Sequence, residues 1–335
     1  MKRDSTTLQD IAQWHWLAEC AARAARGKRH RLSVQRYFSS FESSTSVLLR
    51  SLLAAQLPVQ RYRCFTINDP KPRLIHAAPF PDRVAHHAII GKLAARFERA
   101  QVDSSYACRP GKGAHSAIER ARQIAVCSPW LLKMDVHSYF ANIDHSILRL
   151  LLARLFKNKG VLSLLSNVID SFSTVPGRGL PIGALTSQYF ANHYLDGVQR
   201  FIRCQTSATC ELRYMDDLWV GCESKQHAGK ICRDVNGWLQ QHRKLSLKPA
   251  LIQRSTVGLP FCGFTVSSKR LVPGVRRRRA VRNHYRRLAH SYACGSINEL
   301  QLQALVCSTA ALLKPGVHSK LARKLVNTSG LNQLC

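Results

Sequence analysis

The chain has 335 residues, 45% of them apolar, which is enough to bury a sizeable core and excludes a solvated tail. Fifty Lys and Arg against nineteen Asp and Glu leave a formal charge of +31, an excess that repels itself unless a polyanion neutralises it, so nucleic acid is the expected partner. The polar start MKRDSTTLQD carries no signal-peptide pattern and no run of about 18 apolar residues follows it, which argues against a membrane span and for a soluble, cytoplasmic protein.

In chain order, residues 1–60 place Leu, Ala, Trp and Val at three- and four-residue spacing around Arg23, Arg26, Lys28, Arg29, His30 and Arg31, which predicts a basic helical leading segment. From Tyr62 to Ile75 the pattern becomes extended on both sides of Asn68-Asp69-Pro70-Lys71-Pro72, the mark of a hairpin. A helix is expected over 81–97, an irregular Gly- and Arg-bearing stretch over 106–113, and another helix over 115–126. WLLKMDV (130–136) is a short apolar run with one acid near its end, as in a buried strand that holds a carboxylate at its mouth. Two helical stretches and the turn-rich FSTVPGRGLPIG precede a helix over 184–201. The strand-like CELRYM and DLWVGC then meet at Asp216-Asp217. A helix over 227–242, a strand over 261–266 and a basic helical tail with Arg276, Arg277, Arg278 and Arg279 complete the chain. The twelve cysteines are scattered without a C-x-x-C pair and read as reduced, mostly packing residues.

Two adjacent acids on a tight hairpin and a third at another strand end repel one another unless a cation lies between them. Phosphoryl transfer to a sugar hydroxyl calls for two divalent cations, and oxygen-only ligands suit magnesium, with manganese able to substitute. Asp216-Asp217 alone is equally an ordinary polar turn; the strand-end Asp135 upstream, the aromatics after it and the Gly-turn-helix between give the pair catalytic meaning.

From about Tyr62 to Val266 these residues resemble the reverse transcriptases. KMDVHSYFANIDH (133–145) resembles the first palm motif of that family. The resemblance makes Asp135 a metal ligand, with Val136 in the metal set, and makes Phe140 an aromatic steric gate against a 2′ hydroxyl, while Tyr139 packs in the core. LRYMDDLWV (212–220) resembles the second palm motif. Asp216 then binds metal with Asp135, Asp217 is the less directly engaged acid, and Tyr214 and Met215 lie beside the primer end. GLPFCGFTV (258–266) resembles the start of the primer grip, leading into a basic thumb over 267–335 whose arginines, Arg276 to Arg279 among them, track phosphates. Upstream, NDPKPRLIHAAPFPDRVAHHAI resembles the fingers motif, with Arg73 over the incoming base and Lys71 as companion. YACRPGKGAHSAI continues the match, with Arg109 and Lys112 placed to hold nucleic-acid backbone.

Most reverse transcriptases carry Gln before the Gly of the nucleotide-pocket helix, then Gly-x-x-x-Ser-Pro. Here the segment is LPIGALTSQYFAN, with Ile182, Gly183, Ser187 and Gln188. That form is similar to the reverse transcriptases of diversity-generating retroelements, as are DPKPRLI, SYACRPGKG and the short chain without a nuclease or RNase H domain. The resemblance implies error-prone copying of a template-repeat RNA, with mistakes opposite adenines, alongside a small helical accessory protein and a DNA or RNA primer, from deoxynucleotides. The role of Lys248 as proton donor is left open. Two rivals stand: another bacterial lineage, either intron maturase-like or defence-associated, and a basic RNA-binding protein with a vestigial site. The expected fold is α+β, a right-hand polymerase: 1–60 as the helical N-terminal part of the fingers, 61–266 as fingers and palm, 267–335 as thumb.

Overall fold

A computed structural model describes residues 2–68, 72–205, 210–311 and 313. The leading segment divides into four helices, α1 (Leu8–Ile11), α2 (Trp14–Ala25), α3 (Leu32–Ser39) and α4 (Phe41–Leu53). α1 is set by a capping box in which Thr7 and Asp10 satisfy each other's end of the first turn. The hairpin β1 (Arg63–Asn68) and β2 (Pro72–Ala77) pairs Asn68 with Pro72; its tip, including Lys71, lies outside the described residues. α5 (Phe80–Ala100) and α6 (Ala114–Cys127) precede β3 (Trp130–Asp135), α7 (Tyr139–Asn142), α8 (His145–Leu155) and α9 (Lys159–Asp170). Asp144 and Asn158 cap α8 and α9 by accepting from the main-chain N–H three residues on.

The helix expected over 184–201 is broken into α10 (Leu185–Tyr194) and α11 (Val198–Gln205). Gly197 between them has φ +100°, and the Trp238 ring stands 3.3 Å from where a side chain on it would begin, so both conformation and space ask for glycine. β4 (Glu211–Tyr214) and β5 (Asp217–Cys222) form the expected hairpin, followed by α12 (Lys225–Arg243) and by β6 (Leu251–Arg254), which sequence patterning did not anticipate. The single strand expected over 261–266 is instead a hairpin of β7 (Leu259–Phe261) and β8 (Phe264–Val266), extended by β9 (Leu271–Pro273). Cys262 and Gly263, with φ of 45° and 82°, make its two-residue turn, the positive-φ pair that matches the twist of a tight hairpin. α13 (Val275–Ala293) and α14 (Glu299–Ala311) follow.

The chain forms two compact units, each assembled from three separate stretches. Unit 1 comprises 1–108, 136–200 and 235–248; α5 is its central helix, and buries Val84, Ala88, Leu93 and Phe97 among others. Trp16 of α2 donates its indole N–H to the Ala88 carbonyl, and Phe97 meets Phe190 of α10. Unit 2 comprises 109–135, 201–234 and 249–335, and is built on the antiparallel sheet β4-β5-β3-β6. Leu131, Leu132, Met134, Leu218, Trp219 and Val220 are all buried, so both faces of the central strands are covered. α13 and α14 share a small core of Val281, Tyr285, Leu288 and Leu302.

The cysteines depart from expectation: all those described are free thiols, but six, including Cys64 and Cys108, are exposed while Cys20 and Cys222 are buried. Among the described residues, no helix is long and apolar enough to cross a membrane.

Candidate functional site

The acids are placed by strand register. Asp135 pairs with Asp217 across β3 and β5, and Tyr214 pairs with Asp217 across β4 and β5, leaving Met215 and Asp216 as the hairpin turn. Directly opposed residues share a face of the sheet, so Asp135 and Asp217 project together while Asp216 stands at the tip. Met215 takes φ +57°, a conformation that costs a non-glycine residue about 1 kcal/mol or more. Arg213, fully buried, stabilises it by donating from Nη1 to the Met215 carbonyl at 3.1 Å.

Lys133, two residues before Asp135 and on the same face of β3, brings Nζ to 3.1 Å from Asp217 Oδ1. This ammonium offsets part of the repulsion among the acids. Neither Lys133 nor Arg213 was assigned a role by sequence motif. Lysine two positions before the acid on a period-2 strand is the signal that could have found the first; Arg213 has no such signature, because its role is to fix a turn carbonyl. Replacing Lys133 by Met is expected to destabilise the protein by about 1–2 kcal/mol in a metal chelator, given that the pair is mostly buried. The loss should shrink when magnesium is added, a comparison that thermal melting with and without the metal makes directly.

Around this face the β7–β8 turn closes in. The Phe261 ring lies 5.2 Å from Trp219 and 6.3 Å, edge-on, from Tyr214. Burial, and next the neighbouring Asp217, push the Cys262 thiol up to about 12, so it stays protonated beside the acids. The Arg277 guanidinium stacks on Phe264 at 4.5 Å and donates to the Cys262 carbonyl, which ties α13 to the same turn. Arg276 and Arg279 are exposed, whereas Arg277 and Arg278 are half-buried.

The donors at the strand ends are all oxygen. Among the described residues no three Asp, Glu, His or Cys side chains already form a cage. Magnesium does not need one: it takes one or two carboxylates and fills its octahedron with water and substrate oxygens. Asp135, Asp216 and Asp217 fit that pattern, and Val136, apolar and buried, can add only its main-chain carbonyl.

In unit 1, two main-chain bonds gather the candidates for nucleotide contact. Leu180 N–H donates to the Phe140 carbonyl at 2.8 Å, and His76 N–H donates to the Ile182 carbonyl at 2.9 Å. Phe140, Ile182 and the strand that carries Arg73 are thereby linked. Gly183 has φ +112°, and a side chain there would meet Ile75 at 3.0 Å. Arg73, opposite Ile67, and Gln188 on α10 are exposed. Tyr139 is buried and donates its hydroxyl to the Ala191 carbonyl, while Phe140 is half-buried against it, ring centroids 5.6 Å apart. In unit 2, Arg109 and Lys112 lie half-buried on the loop before α6, closed by a Lys112 N–H to Arg109 carbonyl bond of 3.2 Å.

The family described as reverse transcriptase (RNA-dependent DNA polymerase) matches residues 68–266. Among curated proteins, the group II intron-encoded protein LtrA of Lactococcus lactis subsp. cremoris, and the same protein of its strain MG1363, are each 24% identical over 151 residues. That alignment covers 43% of this chain and 25% of each relative's length.

Proposed function

Because the chain belongs to the reverse transcriptase family, we propose that it is an RNA-directed DNA polymerase that extends a DNA or RNA primer along an RNA template from deoxynucleotides. The observation that carries this reading is the register pair Asp135–Asp217 with Asp216 at the intervening turn. Magnesium bound there would activate the primer 3′ hydroxyl and stabilise the leaving pyrophosphate. Asp135 and Asp216 hold it, and Lys133 balances Asp217. In the right-hand polymerase fold that the family implies, 1–60 and the β1–β2 hairpin belong to the fingers, the β4-β5-β3-β6 sheet is the palm, and 267–335 is the thumb, of which 312 and 314–335 lie outside the described residues. Arg73, Gln188 and Phe140 face the nucleotide, with Phe140 excluding a 2′ hydroxyl; Lys71 joins them from outside the described residues. Tyr214 and Met215 border the primer end. Arg109, Lys112, Arg276, Arg277, Arg278 and Arg279 follow the nucleic-acid backbone, each neutralised phosphate adding to the salt dependence of binding.

The finer reading is a diversity-generating enzyme that copies a template-repeat RNA with errors at adenines, assisted by a small helical accessory protein, in mutagenic retrohoming of a target gene. It rests on Ile182, Gly183, Ser187 and Gln188. An apolar Ile182 supplies no hydrogen bond near the nucleotide sugar, so geometry discriminates less between right and wrong bases. The likeness to the group II intron-encoded LtrA favours a second reading, an intron-type enzyme copying with ordinary accuracy.

The test is extension of a DNA primer on RNA with magnesium and deoxynucleotides, followed by sequencing of the products. Errors concentrated at template adenines support the diversity-generating reading; an even error spectrum supports the intron-type one. Ile182→Gln is expected to lower misincorporation several-fold, and an unchanged spectrum would remove Ile182 from the explanation. No synthesis by the wild-type chain, with its RNA and accessory protein supplied, would leave a vestigial RNA-binding protein.

A further inference from the structure

A cavity of about 510 Å³ opens in unit 1 between α5, α8, α10 and the C-terminal end of α12, and none of its residues belongs to the site described above. Its walls carry the guanidinium groups of Arg96, Arg154, Arg200 and Arg243 against a single carboxylate, Asp196. Two of the four arginines are committed. Arg243 donates to the carbonyls of Tyr194, His242 and Asp196 and lies over the Trp238 ring at 4.8 Å. Arg200 pairs with Asp196 at 2.9 Å and donates to the Ala100 carbonyl.

The other two are not. Arg96 is only 3% exposed, yet its one hydrogen bond among the described residues runs from Nε to the Leu155 carbonyl at 3.2 Å, and no carboxylate pairs with it. Arg154 is exposed and has neither a hydrogen bond nor an ion pair among the described residues. A guanidinium held almost wholly out of water without a counter-ion is costly, and an anion in the cavity removes that cost. His193, 4% exposed with Nδ1 unpartnered, is a second orphan on the same wall. Its pKa is lowered to about 4 by burial, with Arg243 and Arg96 adding to the effect against the opposing Asp196, so it leaves the positive charge to the arginines.

The geometry points to a phosphoryl-binding site in this cavity, with Arg96 and Arg154 as the recognition forks and Arg243, braced on Trp238, as the fixed wall. The volume is that of a nucleotide-sized ligand, and guanidinium forks match the oxygens of a phosphoryl group. The phosphoryl group can come from a free nucleotide or from a nucleic-acid backbone.

The test uses the full-length protein labelled with ¹⁵N on arginine, without divalent cations, so that no metal bridges phosphates to the strand-end acids. The Nε–H resonances of Arg96 and Arg154 are assigned with Arg96→Lys and Arg154→Glu. Inorganic phosphate, ADP, a 12-nucleotide RNA and a glutamate-rich peptide are titrated in turn. Saturable shifts of both resonances with a phosphate-bearing probe, and an affinity about tenfold weaker in Arg154→Glu, are expected. Shifts with ADP and phosphate identify a free nucleotide as the source; shifts with RNA alone identify a backbone phosphate. Arg154→Glu alters an exposed side chain and keeps the comparison valid if Arg96→Lys fails to fold. Unmoved resonances, unchanged affinity in Arg154→Glu, or tighter binding of the peptide would overturn the assignment.

Discussion

Asp216→Asn is expected to abolish primer extension, by about a thousandfold or more, while leaving the fold intact. The residue sits at the two-residue turn between β4 and β5, outside the paired register of both strands. In the proposed reaction its negative charge would serve the cation and the developing charge of phosphoryl transfer. Losing a metal ligand that contributes several kcal/mol to the transition state corresponds to about three decades in rate. Stability should move the other way or not at all, since one of three mutually repelling carboxylates has been neutralised. Single-turnover extension and thermal melting of the same preparation check both halves. A variant that lost activity and melted early would instead mark Asp216 as structural, with the Met215 turn as its charge.

The second large effect is expected at Phe140. Phe140→Ala should raise ribonucleotide incorporation relative to deoxynucleotide by about 10–100-fold, the range in which a hydrophobic pocket discriminates by shape alone. The substitution should be tolerated because its neighbour holds the turn: Tyr139 is buried and bonded to the Ala191 carbonyl, whereas Phe140 is half-buried, keeps its carbonyl bond to Leu180 when truncated and loses only the ring contact with Tyr139. The comparison is kcat/KM for the two sugar types on one primer and template. Equal loss for both would mean that the ring positions the nucleotide without selecting its sugar.

Much of this site is legible in the sequence because its logic is local. WLLKMD reads as a strand with an acid at its mouth, and CELRYM and DLWVGC read as a hairpin with its acids at the bend; the register that sets Asp135 opposite Asp217 follows once the two strands are adjacent. What escaped depends on neighbours distant in sequence. β6 is short and follows Pro249, with a mixed burial pattern and no alternation, and is a strand because β3 offers it an edge. The break at Gly197 hides in a helical pattern, since a single glycine is tolerated there; the Trp238 ring from α12 shows why it is needed. Cys262-Gly263 is a weak turn signal beside Asn-Gly or Asp-Gly, so β7 and β8 merge on paper into one strand. Lys133 looks like any polar residue alternating along a strand until its Nζ is found 3.1 Å from Asp217, the residue opposite Asp135.

The sheet order also governs how the chain emerges during synthesis. β3 sits between β5 and β6, and its partners are made long after it: β5 ends its pairing with Asp135 at Asp217, roughly eighty residues downstream, and β6 comes later still. At about 5–20 residues per second, WLLKMD spends roughly 4–16 s outside the ribosome with both edges open. Such a segment is a template for wrong pairing, and a polyanion that gathers the surrounding arginines would keep nascent chains apart during that interval. Yield on expression should accordingly depend on slow translation through residues 136–216 and on the RNA present while it happens.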